Sequence, residues 1–497
     1  MGSCSKSVGE EMVKKNKIFI LVVDFGTSKV KANLVDAEDG TFLTSCSRSY
    51  TIMTTAEGHT ELELEQVWDS AVDCVRQVLG SVKEDGKIIA LSFSYFGDNL
   101  ILADENGDSL SQCILCFDSR GTDEAQYITE QLSEAKLVEV IGSPYSYMST
   151  GAKILWMRRH MPDIFNKAKY FFSIQQYINR KLGLQAINDG TMAARKQLYD
   201  TGKGVWSREL LELIGIGEES LGEIKPTNTI IGEIDSFGPI SLPYSIPVVL
   251  GGHDCDLGIV GLGVGSEENP VVADITGTYD HIGYLADGMI NTKRTYPHGK
   301  IESYCGPLDN KSVCIGAFTT SGAVLEWFMR EVNSDTSQDA YQFFWNHVVF
   351  DGNGTVCMCP DFSGNQGSFQ GIGLGVGKNE LFQSIIEALT FKTKEIIDDC
   401  ERIKLGGINR VRIGGGAANS AEWIQLRANI TGKIFEKMEN IQVSALGTAI
   451  IAAYTMGIYG NISDAIQNMV SVSRVFLPDM EVHNKYNIIY KGIHSNK

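Results

Sequence analysis

Short apolar runs that end in polar turns are the most regular pattern along this sequence. The run Lys17–Val23 is followed by the turn Asp24–Ser28, and the run Val271–Ala273 is followed by the turn Asp274–Thr278. Each turn contains an Asp, a Gly and a Thr, and each leads into a second strand pattern and a further turn. Strand, turn and strand in this order predict a β-hairpin. Because the hairpin recurs about half a chain later, the sequence predicts two related domains that face each other across a cleft.

Strand and helix patterns alternate through both halves of the chain. Apolar residues at helical spacing predict a helix over 63–80, and a strand pattern follows at 87–94. In the second half, a predicted helix over Glu380–Asp399 precedes the strand Val411–Ile413, and the helix after that strand has Asn419 or Ser420 as its N-cap. This alternation favours the α/β class, in which ligands bind where parallel strands end.

Composition and charge restrict the function classes. A chain of 497 residues is long enough for two or more domains, and its net charge of −18 argues against binding to nucleic acid or to an anionic membrane surface. No apolar run reaches the length of a membrane span, and residues 1–16 are polar, which predicts a loose N-terminal arm without a secretory leader. The 11 cysteines include no double pair at zinc spacing, so we expect a reducing cytoplasm.

The stretch Gly251–Asp254 is the first candidate for chemistry. It follows the apolar strand Pro247–Leu250, and a carboxylate at the mouth of a glycine turn lies where a substrate hydroxyl group can approach. A Gly–Thr turn offers backbone N–H groups and a hydroxyl group to a phosphate. A base beside a phosphate-binding turn is the minimum equipment for phosphoryl transfer. The same residues equally fit two ordinary strand ends.

Further polar and glycine residues follow other predicted strands. Asp98 and Asn99 come after the strand 87–94, and Asp118 and Arg120 come after the next strands, where they are candidate ligand contacts or simply a local ion pair. Three glycines at 414–416 allow a flat ligand such as a purine ring to lie against the backbone, or they form a tight strand–helix turn.

The order of these motifs resembles the FGGY family of carbohydrate kinases over residues 18–480. The segments that carry the resemblance are Asp24–Lys31 (first phosphate motif), Gly251–Asp254 (catalytic-acid segment), Asp274–Thr278 (second phosphate motif) and Gly414–Ala417 with Trp423 and Gln425 (adenosine motif).

This resemblance implies an α/β fold of two duplicated ribonuclease H-like (actin-like ATPase) domains around a central cleft. The implied domains are residues 17–250 on the sugar-binding side and residues 251–497 on the nucleotide-binding side, after the arm 1–16. The family habit also suggests a homodimer, although the sequence itself does not give the oligomeric state.

An ATP-dependent carbohydrate kinase is the implied activity. The γ-phosphate of ATP would pass to a hydroxyl group of a small sugar, a ketose or related polyol, with Asp254 as general base and Asp24 holding Mg²⁺ through water. The residues implied to bind the sugar are Asp98, Asn99, Asp118, Arg120 and His253. Those implied to bind ATP and its phosphates are Gly26, Thr27, Ser28, Lys31, Gly277, Thr278, Gly415, Gly416, Ala417 and Asn419.

Departures from the family pattern concern mainly the substrate. Phe96–Asn99 and Cys116–Asp118 differ from the Gln-Met-His-Gly and Trp-Asn-Asp segments of xylulokinase-like members, so we expect neither a standard xylulokinase pocket nor a glycerol kinase pocket. The Gly-Gly-His-Asp segment resembles deoxyhexulose kinases such as L-fuculokinase, but four residues do not identify a sugar. Asn429 stands where many members have an acid. The alternative function is that of an actin-like-fold ATPase or a sugar sensor without metabolic kinase activity.

Overall fold

The computed structural model describes residues 17–82, 86–265, 271–277, 279–288, 290, 301–318, 321–359, 367–403 and 407–495. The strands of the N-terminal half are β1 (Lys17–Phe25), β2 (Lys29–Asp36), β3 (Phe42–Ser49), β4 (Ile52–Thr54), β5 (Thr60–Leu62), β6 (Gly86–Tyr95), β7 (Ile101–Ala103), β8 (Cys113–Ile114), β9 (Tyr170–Phe172), β10 (Asn188–Asp189), β11 (Tyr199–Asp200), β12 (Val205–Trp206), β13 (Ile224–Lys225), β14 (Ile230–Phe237) and β15 (Ile240–His253). Its helices are α1 (Leu64–Leu79), α2 (Thr122–Leu132), α3 (Glu134–Ile141), α4 (Thr150–His160), α5 (Pro162–Phe165), α6 (Ile174–Lys181), α7 (Gly190–Arg195) and α8 (Arg208–Ile214).

The second half has the same mixture of strands and helices. Its strands are β16 (Val271–Thr276), β17 (Asp280–Asp287), β18 (Ile301–Cys305), β19 (Lys311–Phe318), β20 (Cys357–Cys359), β21 (Ser368–Gln370), β22 (Arg410–Gly415), β23 (Ile434–Met438) and β24 (Val472–Phe476). Its helices are α9 (Asp254–Gly261), α10 (Ser321–Trp327), α11 (Gln338–His347), α12 (Lys378–Ile403), α13 (Ala421–Thr431), α14 (Val443–Thr455), α15 (Ile462–Met469) and α16 (Met480–Ser495). None of the helices in the described ranges is long and apolar enough to cross a membrane.

Two large sheets share one strand order. In the N-terminal sheet the neighbours are β3, β2, β1, β6 and β15, and in the C-terminal sheet they are β19, β17, β16, β22 and β23. The first three strands of each set are antiparallel, and the last two run parallel to the third. An outer antiparallel strand, β14 or β24, follows the fifth strand in each sheet. The predicted α/β fold of two duplicated domains is therefore confirmed, and β1–β2 and β16–β17 are the repeated hairpins.

The apolar run of β1 is explained by burial on both faces. Ile20 and Val22 belong to the large core that extends into the C-terminal half, whereas Phe19, Leu21 and Val23 belong to a second core beneath α1. A strand that is covered on both faces reads as a continuous apolar run and lacks the alternation of a half-exposed strand. The sequence therefore predicts the strand β1, but a continuous apolar run does not indicate which residues face which of the two cores.

Helices α9 and α14 cross in close contact, and α14 also packs on β1, β6 and β15. At Gly447 an added Cβ would lie 1.8 Å from the Leu257 carbonyl oxygen, and at Gly261 it would lie 1.9 Å from the Val443 carbonyl oxygen. The backbones therefore touch directly, and only glycine fits at these two positions. The small-residue helix predicted around Ser444–Ala453 is present as α14.

The predicted domain boundary between residues 250 and 251 falls inside β15. This strand continues to His253 and pairs with β6 of the N-terminal sheet over its last residues, because the Gly251–Gly252 pair bends within the strand without ending it. Gly251 has a φ of +70°, and an added Cβ there would lie 1.9 Å from the Phe93 carbonyl oxygen. Asp254 then opens α9, so the chain leaves the first sheet between His253 and Asp254.

Gly447→Ala should destabilise the protein, because its Cβ would overlap the Leu257 carbonyl oxygen at 1.8 Å and force α9 and α14 apart. Overpacking of this kind costs about 1–3 kcal/mol, against a gain of up to about 1 kcal/mol in helix propensity. Thermal unfolding should show a midpoint lower by several degrees. Gly460→Ala is the matched control, since nothing lies within 4 Å of its added Cβ. Equal midpoints for the two variants would contradict this account of the helix crossing.

Candidate active site

The carboxyl ends of the parallel strands bring the main candidate residues to one edge of each sheet. β1 and β15 both pair with β6 up to Tyr95, so Asp24 near the end of β1 and Asp254 just after β15 lie at the same edge. In the C-terminal sheet, Thr276 of β16 pairs with Gly415 of β22 at the corresponding edge. This is the place where open α/β sheets bind ligands.

Asp254 is the first residue of α9 and keeps 27% of its side chain exposed. Its Oδ1 accepts a hydrogen bond of 2.7 Å from the N–H of Cys255. Burial raises the pKa of Asp254 above its usual value, and the charge of Asp24 adds to the rise, whereas His253 opposes it. A partly exposed carboxyl group with a raised pKa is suited to accept a proton from a hydroxyl group.

His253 lies between two carboxylates. Its Nε2 is 3.5 Å from Asp254 Oδ1, and its Nδ1 is 3.1 Å from Asp256 Oδ2. Asp256 Oδ1 accepts a hydrogen bond of 3.0 Å from the hydroxyl group of Tyr304, a residue of the C-terminal sheet. Burial alone would lower the pKa of His253, but Asp256 and then Asp254 raise it above its usual value. When His253 is protonated, its charge beside Asp254 favours the ionised form of that carboxylate.

Asp24 is held by two polar neighbours. The hydroxyl group of Ser94 donates a hydrogen bond of 2.7 Å to its Oδ1, and Lys31 Nζ lies 3.6 Å from its Oδ2. The hydroxyl group of Tyr50 donates to the Gly26 carbonyl oxygen, and burial, followed by the charge of Asp24, raises the pKa of this phenol. Asp24 thus presents a carboxylate directly before the first glycine turn.

The first glycine turn is closed by its own backbone. The N–H of Gly26 donates to the Lys29 carbonyl oxygen at 3.0 Å, and the N–H of Tyr50 donates to the Ser28 carbonyl oxygen at 3.1 Å. Thr27 is half-buried and Ser28 is exposed, so both face the open side of the turn. This geometry is compatible with a phosphate-binding turn.

The second turn is tied to the triple-glycine segment. Thr276 Oγ1 donates to the Gly414 carbonyl oxygen at 2.9 Å and accepts from the N–H of Ala417 at 2.8 Å. Gly415 has a φ of +87°, and an added Cβ would lie 2.0 Å from the Thr276 carbonyl oxygen. Gly277 is exposed next to this contact, whereas Thr278 lies outside the described residues.

The triple-glycine segment continues into a short 3-10 turn. Gly416 has no atom within 4 Å of an added Cβ, and the side-chain amide of the exposed Asn419 donates to its carbonyl oxygen at 3.2 Å. Ser420 is the N-cap of α13, since its hydroxyl group accepts from the N–H of Trp423 at 3.2 Å. The tight turn that the sequence offered as an alternative is present, and it leaves an open glycine surface at Gly416.

A buried ion cluster connects α13 to the second hairpin, β16–β17. Arg427 of α13 donates from Nη1 to Asp274 Oδ2, and its Nη2 donates to Asp280 Oδ2 at 2.7 Å. All three side chains are fully buried, and Arg427 Nη1 also donates to Thr393 Oγ1 at 3.0 Å. Burial raises the pKa of Asp274 despite the nearby arginine. Arg427 therefore joins the two strands that flank the second turn, Asp274 on β16 and Asp280 on β17.

Asp98 takes part in an ion network that crosses between the halves of the chain. Its Oδ2 accepts hydrogen bonds of 3.0 and 2.9 Å from Nε and Nη2 of Arg195, and Arg195 Nη1 donates to Glu302 Oε2 at 2.8 Å. Asp98 has a φ of +57°, a left-handed conformation that Asp adopts more readily than most residues. The turn brings Gly97 against His253, whose Nε2 would lie 2.9 Å from an added Cβ.

Three of the predicted sugar-binding residues use their side chains inside the N-terminal domain. Asn99 is fully buried, where its amide donates to the Phe96 carbonyl oxygen at 2.8 Å and its Oδ1 accepts from the N–H of Ile174 at 2.7 Å. Asp118 and Arg120 form a buried ion pair at 2.8 Å, as the local alternative predicted. These polar residues at the strand exits bind the backbone and each other, and their predicted role in sugar binding stays a prediction.

The sequence analysis did not identify several residues of this site. One of them, Asp256, could have been predicted, since it lies two positions after Asp254 on α9. The others are brought in by tertiary structure from distant elements; they are Tyr50, Arg195, Glu302, Tyr304 and Arg427.

One group of three residues is a candidate metal site. Ligand atoms of His253, Asp254 and Cys255 lie within 4.8 Å of one another. Burial raises the pKa of the Cys255 thiol well above its usual value, which opposes the deprotonation that metal binding by a thiol requires.

Comparison with known proteins assigns this architecture to a family. Residues 19–261 match the N-terminal domain, and residues 297–456 the C-terminal domain, of the FGGY family of carbohydrate kinases. Among relatives, a xylulose kinase of Staphylococcus epidermidis is 23% identical (95% of each chain covered), and a gluconokinase of Bacillus licheniformis is 24% identical (94% of this chain and 93% of the relative). A glycerol kinase of Desulfitobacterium hafniense is 24% identical (96% and 98%).

Solved structures show the same fold. A ligand-bound xylulose kinase from Lactobacillus acidophilus superimposes with a TM-score of 0.85 at 21% identity, covering 96% of this chain and 97% of the other. A Plasmodium falciparum glycerol kinase with ADP superimposes with a TM-score of 0.82 at 17% identity, covering 97% and 98%.

The chain belongs to the FGGY family of carbohydrate kinases, and the resemblance stated from its motifs is confirmed. It is a phosphotransferase of the sugar and polyol kinase type.

Replacing Arg427 with Met should strongly destabilise the protein, because it leaves the buried Asp274 and Asp280 carboxylates without their cation. Removing one partner of a buried ion pair costs about 3–5 kcal/mol, measured as the free energy of unfolding in denaturant. Burial holds the pKa of Asp274 above its unfolded value of about 3.9, so the native state binds more protons and stability falls as pH rises from about 4. Without Arg427 the loss should therefore be larger at pH 8 than at pH 5.

Arg410→Met provides the control for this measurement. Arg410 is half-exposed, and its partner Glu436 keeps Arg412 at 3.0 Å, so the cost should stay below about 1 kcal/mol. An Arg427 variant as stable as the Arg410 variant, or one with no pH dependence, would show that the buried cluster does not hold the hairpin.

Proposed function

We propose that this chain transfers the γ-phosphoryl group of ATP to a hydroxyl group of a small sugar or polyol, with Asp254 as the general base. The observation that carries this proposal is the position of Asp254, a partly exposed carboxyl group with a raised pKa at the carboxyl edge of β1, β6 and β15. The first glycine turn lies at the same edge, which supports a phosphate chain on one side of Asp254 and an acceptor on the other.

In the proposed step, the acceptor oxygen attacks the γ-phosphorus while its proton passes to the Asp254 carboxylate. The bond between the γ-phosphorus and the bridging oxygen breaks, and ADP leaves with that electron pair. General-base assistance of this kind contributes about 10²–10⁴ in rate. His253, 3.5 Å away, opposes the effect of burial on the pKa of Asp254 and so favours the ionised form of this carboxyl group.

The phosphates are proposed to lie between the two hairpin turns. Gly26, Thr27, Ser28 and Lys31 contribute from the first, and Gly277 and Thr278 from the second. The purine ring is proposed to lie on the surface of Gly415, Gly416, Ala417 and Asn419, where the open side of Gly416 leaves room for it.

Mg²⁺ fits the oxygen donors near the first turn. Asp24 offers a carboxylate whose only close cation is Lys31 at 3.6 Å in the described chain, and hard oxygen ligands with retained water suit this ion. We propose that Asp24 holds it through water. When bound, it would neutralise charge on the transferred phosphoryl group.

Two further expectations stay predictions. The cytoplasmic location follows from the cysteine content, and the homodimer follows from the habit of the family. The reading as a sugar sensor or an assembling ATPase is tested by the experiment that follows.

Asp254→Ala should reduce sugar-dependent ADP formation by about 10²–10⁴ while nucleotide binding is retained, because only the general base is lost. ADP release is measured with Mg-ATP across ketoses, aldoses, polyols and sugar acids. The control is Asp339→Ala, which removes an exposed acid on α11. Turnover that is independent of sugar, or equal in both variants, would contradict the kinase mechanism.

His253→Gln should move the acid limb of the kcat/KM pH profile to higher pH. In the wild type His253 opposes the effect of burial and of Asp24 on the pKa of Asp254, so its loss raises that pKa further. Asp254 then protonates at a higher pH and the base is lost earlier on acidification. A limb that stays in place or moves to lower pH would show that His253 does not act on Asp254 electrostatically.

A further inference from the structure

The charge around Asp98, Arg195 and Glu302 points to the class of acceptor. We propose, as a consequence that rests on the proposed function, that the acceptor is an uncharged polyhydroxy compound whose hydroxyl groups donate to Asp98 and Glu302, and that sugar acids are excluded. The relatives include kinases named for xylulose, glycerol and gluconate, so both neutral and acidic acceptors occur among proteins similar to this chain.

Arg195 is the cation that would have to bind a sugar carboxylate, and it is already engaged. Its Nε and Nη2 donate to Asp98 at 3.0 and 2.9 Å, and its Nη1 donates to Glu302 at 2.8 Å. The guanidinium also lies 5.6 Å from the centre of the Tyr304 ring, and only 19% of the side chain is exposed. Two carboxylates already take three of its five N–H groups, so a substrate carboxylate would have to bind directly beside two acidic side chains.

The surrounding charges are predominantly negative. Asp98, Glu302, Asp254 and Asp256 contribute four carboxyl groups, against Arg195 and, when it is protonated, His253. An added anion would therefore meet net repulsion at short range.

Two nearby basic side chains do not change this balance. Burial lowers the pKa of His281 to about 3, so this imidazole is neutral. Lys153 is fully buried and donates to the carbonyl oxygens of Asp98 and Cys116 at 3.3 and 3.2 Å, which points its ammonium group at the backbone beneath the cluster.

Each acid that flanks Arg195 keeps an oxygen available for a substrate. Asp98 Oδ2 takes both bonds from the guanidinium and Glu302 Oε2 takes the third. Asp98 Oδ1 and Glu302 Oε1 accept no hydrogen bond from the residues that the structure describes, and 13% and 32% of the two side chains are exposed. Carboxylate oxygens oriented by an arginine are strong acceptors for hydroxyl donors.

The test compares acceptors that differ mainly in one carboxylate. We suggest D-xylulose with D-xylonate, D-fructose with D-gluconate, and glycerol with D-glycerate, measured by kcat/KM and by calorimetric binding. The best neutral acceptor should exceed its acidic counterpart at least 100-fold in kcat/KM, and the acid should not compete with it. An acid that is used or bound as well as its neutral partner would overturn the inference while leaving the kinase mechanism intact.

Measuring turnover and binding separately distinguishes the kinase mechanism from the selection of uncharged acceptors. A panel without turnover but with binding of neutral compounds and not of acids would overturn the kinase mechanism and support the charge selection. Absence of both turnover and binding across the panel would overturn both.

Glu302→Gln tests the origin of the selectivity. This variant removes one negative charge and frees Arg195 Nη1 from its anionic partner, so the preference for neutral over acidic acceptors should fall at least 10-fold. Asp98→Asn should raise KM for the neutral acceptor. Glu331→Gln is the matched control, because Glu331 is an exposed glutamate that pairs with Arg330 on the surface. Unchanged selectivity in Glu302→Gln, with wild-type thermal stability, would show that Glu302 does not set it.

Discussion

Direct backbone contact between α9 and α14 is the constraint on which the rest of this molecule depends. The two helices meet where Gly261 and Gly447 leave no room for a side chain, and α14 packs on the central strands of the first sheet. Because α9 begins with Asp254, this contact also fixes the direction in which the candidate base points. The reacting edge of the N-terminal sheet is thus positioned by a helix from the far end of the sequence.

Arg427 and Arg195 each lie between two carboxylates, but they differ in how far they are buried. Arg427 joins Asp274 and Asp280 beneath the second turn, where no solvent reaches, and its contribution is to hold two strands at a fixed spacing. Arg195 joins Asp98 and Glu302 at a partly exposed position, where 19% of the arginine and 13% and 32% of the two acidic side chains remain exposed. The same ionic arrangement is thus wholly buried in one place, where it joins two strands, and partly exposed in the other, where we propose that it serves recognition.

Much of the fold was predictable because it is determined by local patterns of apolar, polar and glycine residues. The repeated hairpins and the α/β class follow from residue types at short spacing, and Ser420 is one of the two N-cap residues that the sequence offered. Helix α12 extends only a few residues beyond the predicted Glu380–Asp399 at each end. The candidate site was predictable only in part. Asp24 and Asp254 stand in recognisable turns, whereas Arg195 meets Glu302 from 107 positions away. Such a pairing depends on how the two sheets are packed, which no short window of sequence contains.

The placement of β18 has a consequence for how acceptor preference can change during evolution. This strand belongs to the C-terminal sheet, yet Glu302 reaches Arg195 of the N-terminal half, and the N–H of Ser303 donates to the Gly142 carbonyl oxygen at 3.0 Å. The acceptor recognition that we propose would therefore be encoded in two distant parts of the gene. Recombination that exchanges one whole domain between relatives would create a hybrid pocket, so new preferences can arise without any point substitution beside the catalytic carboxylate.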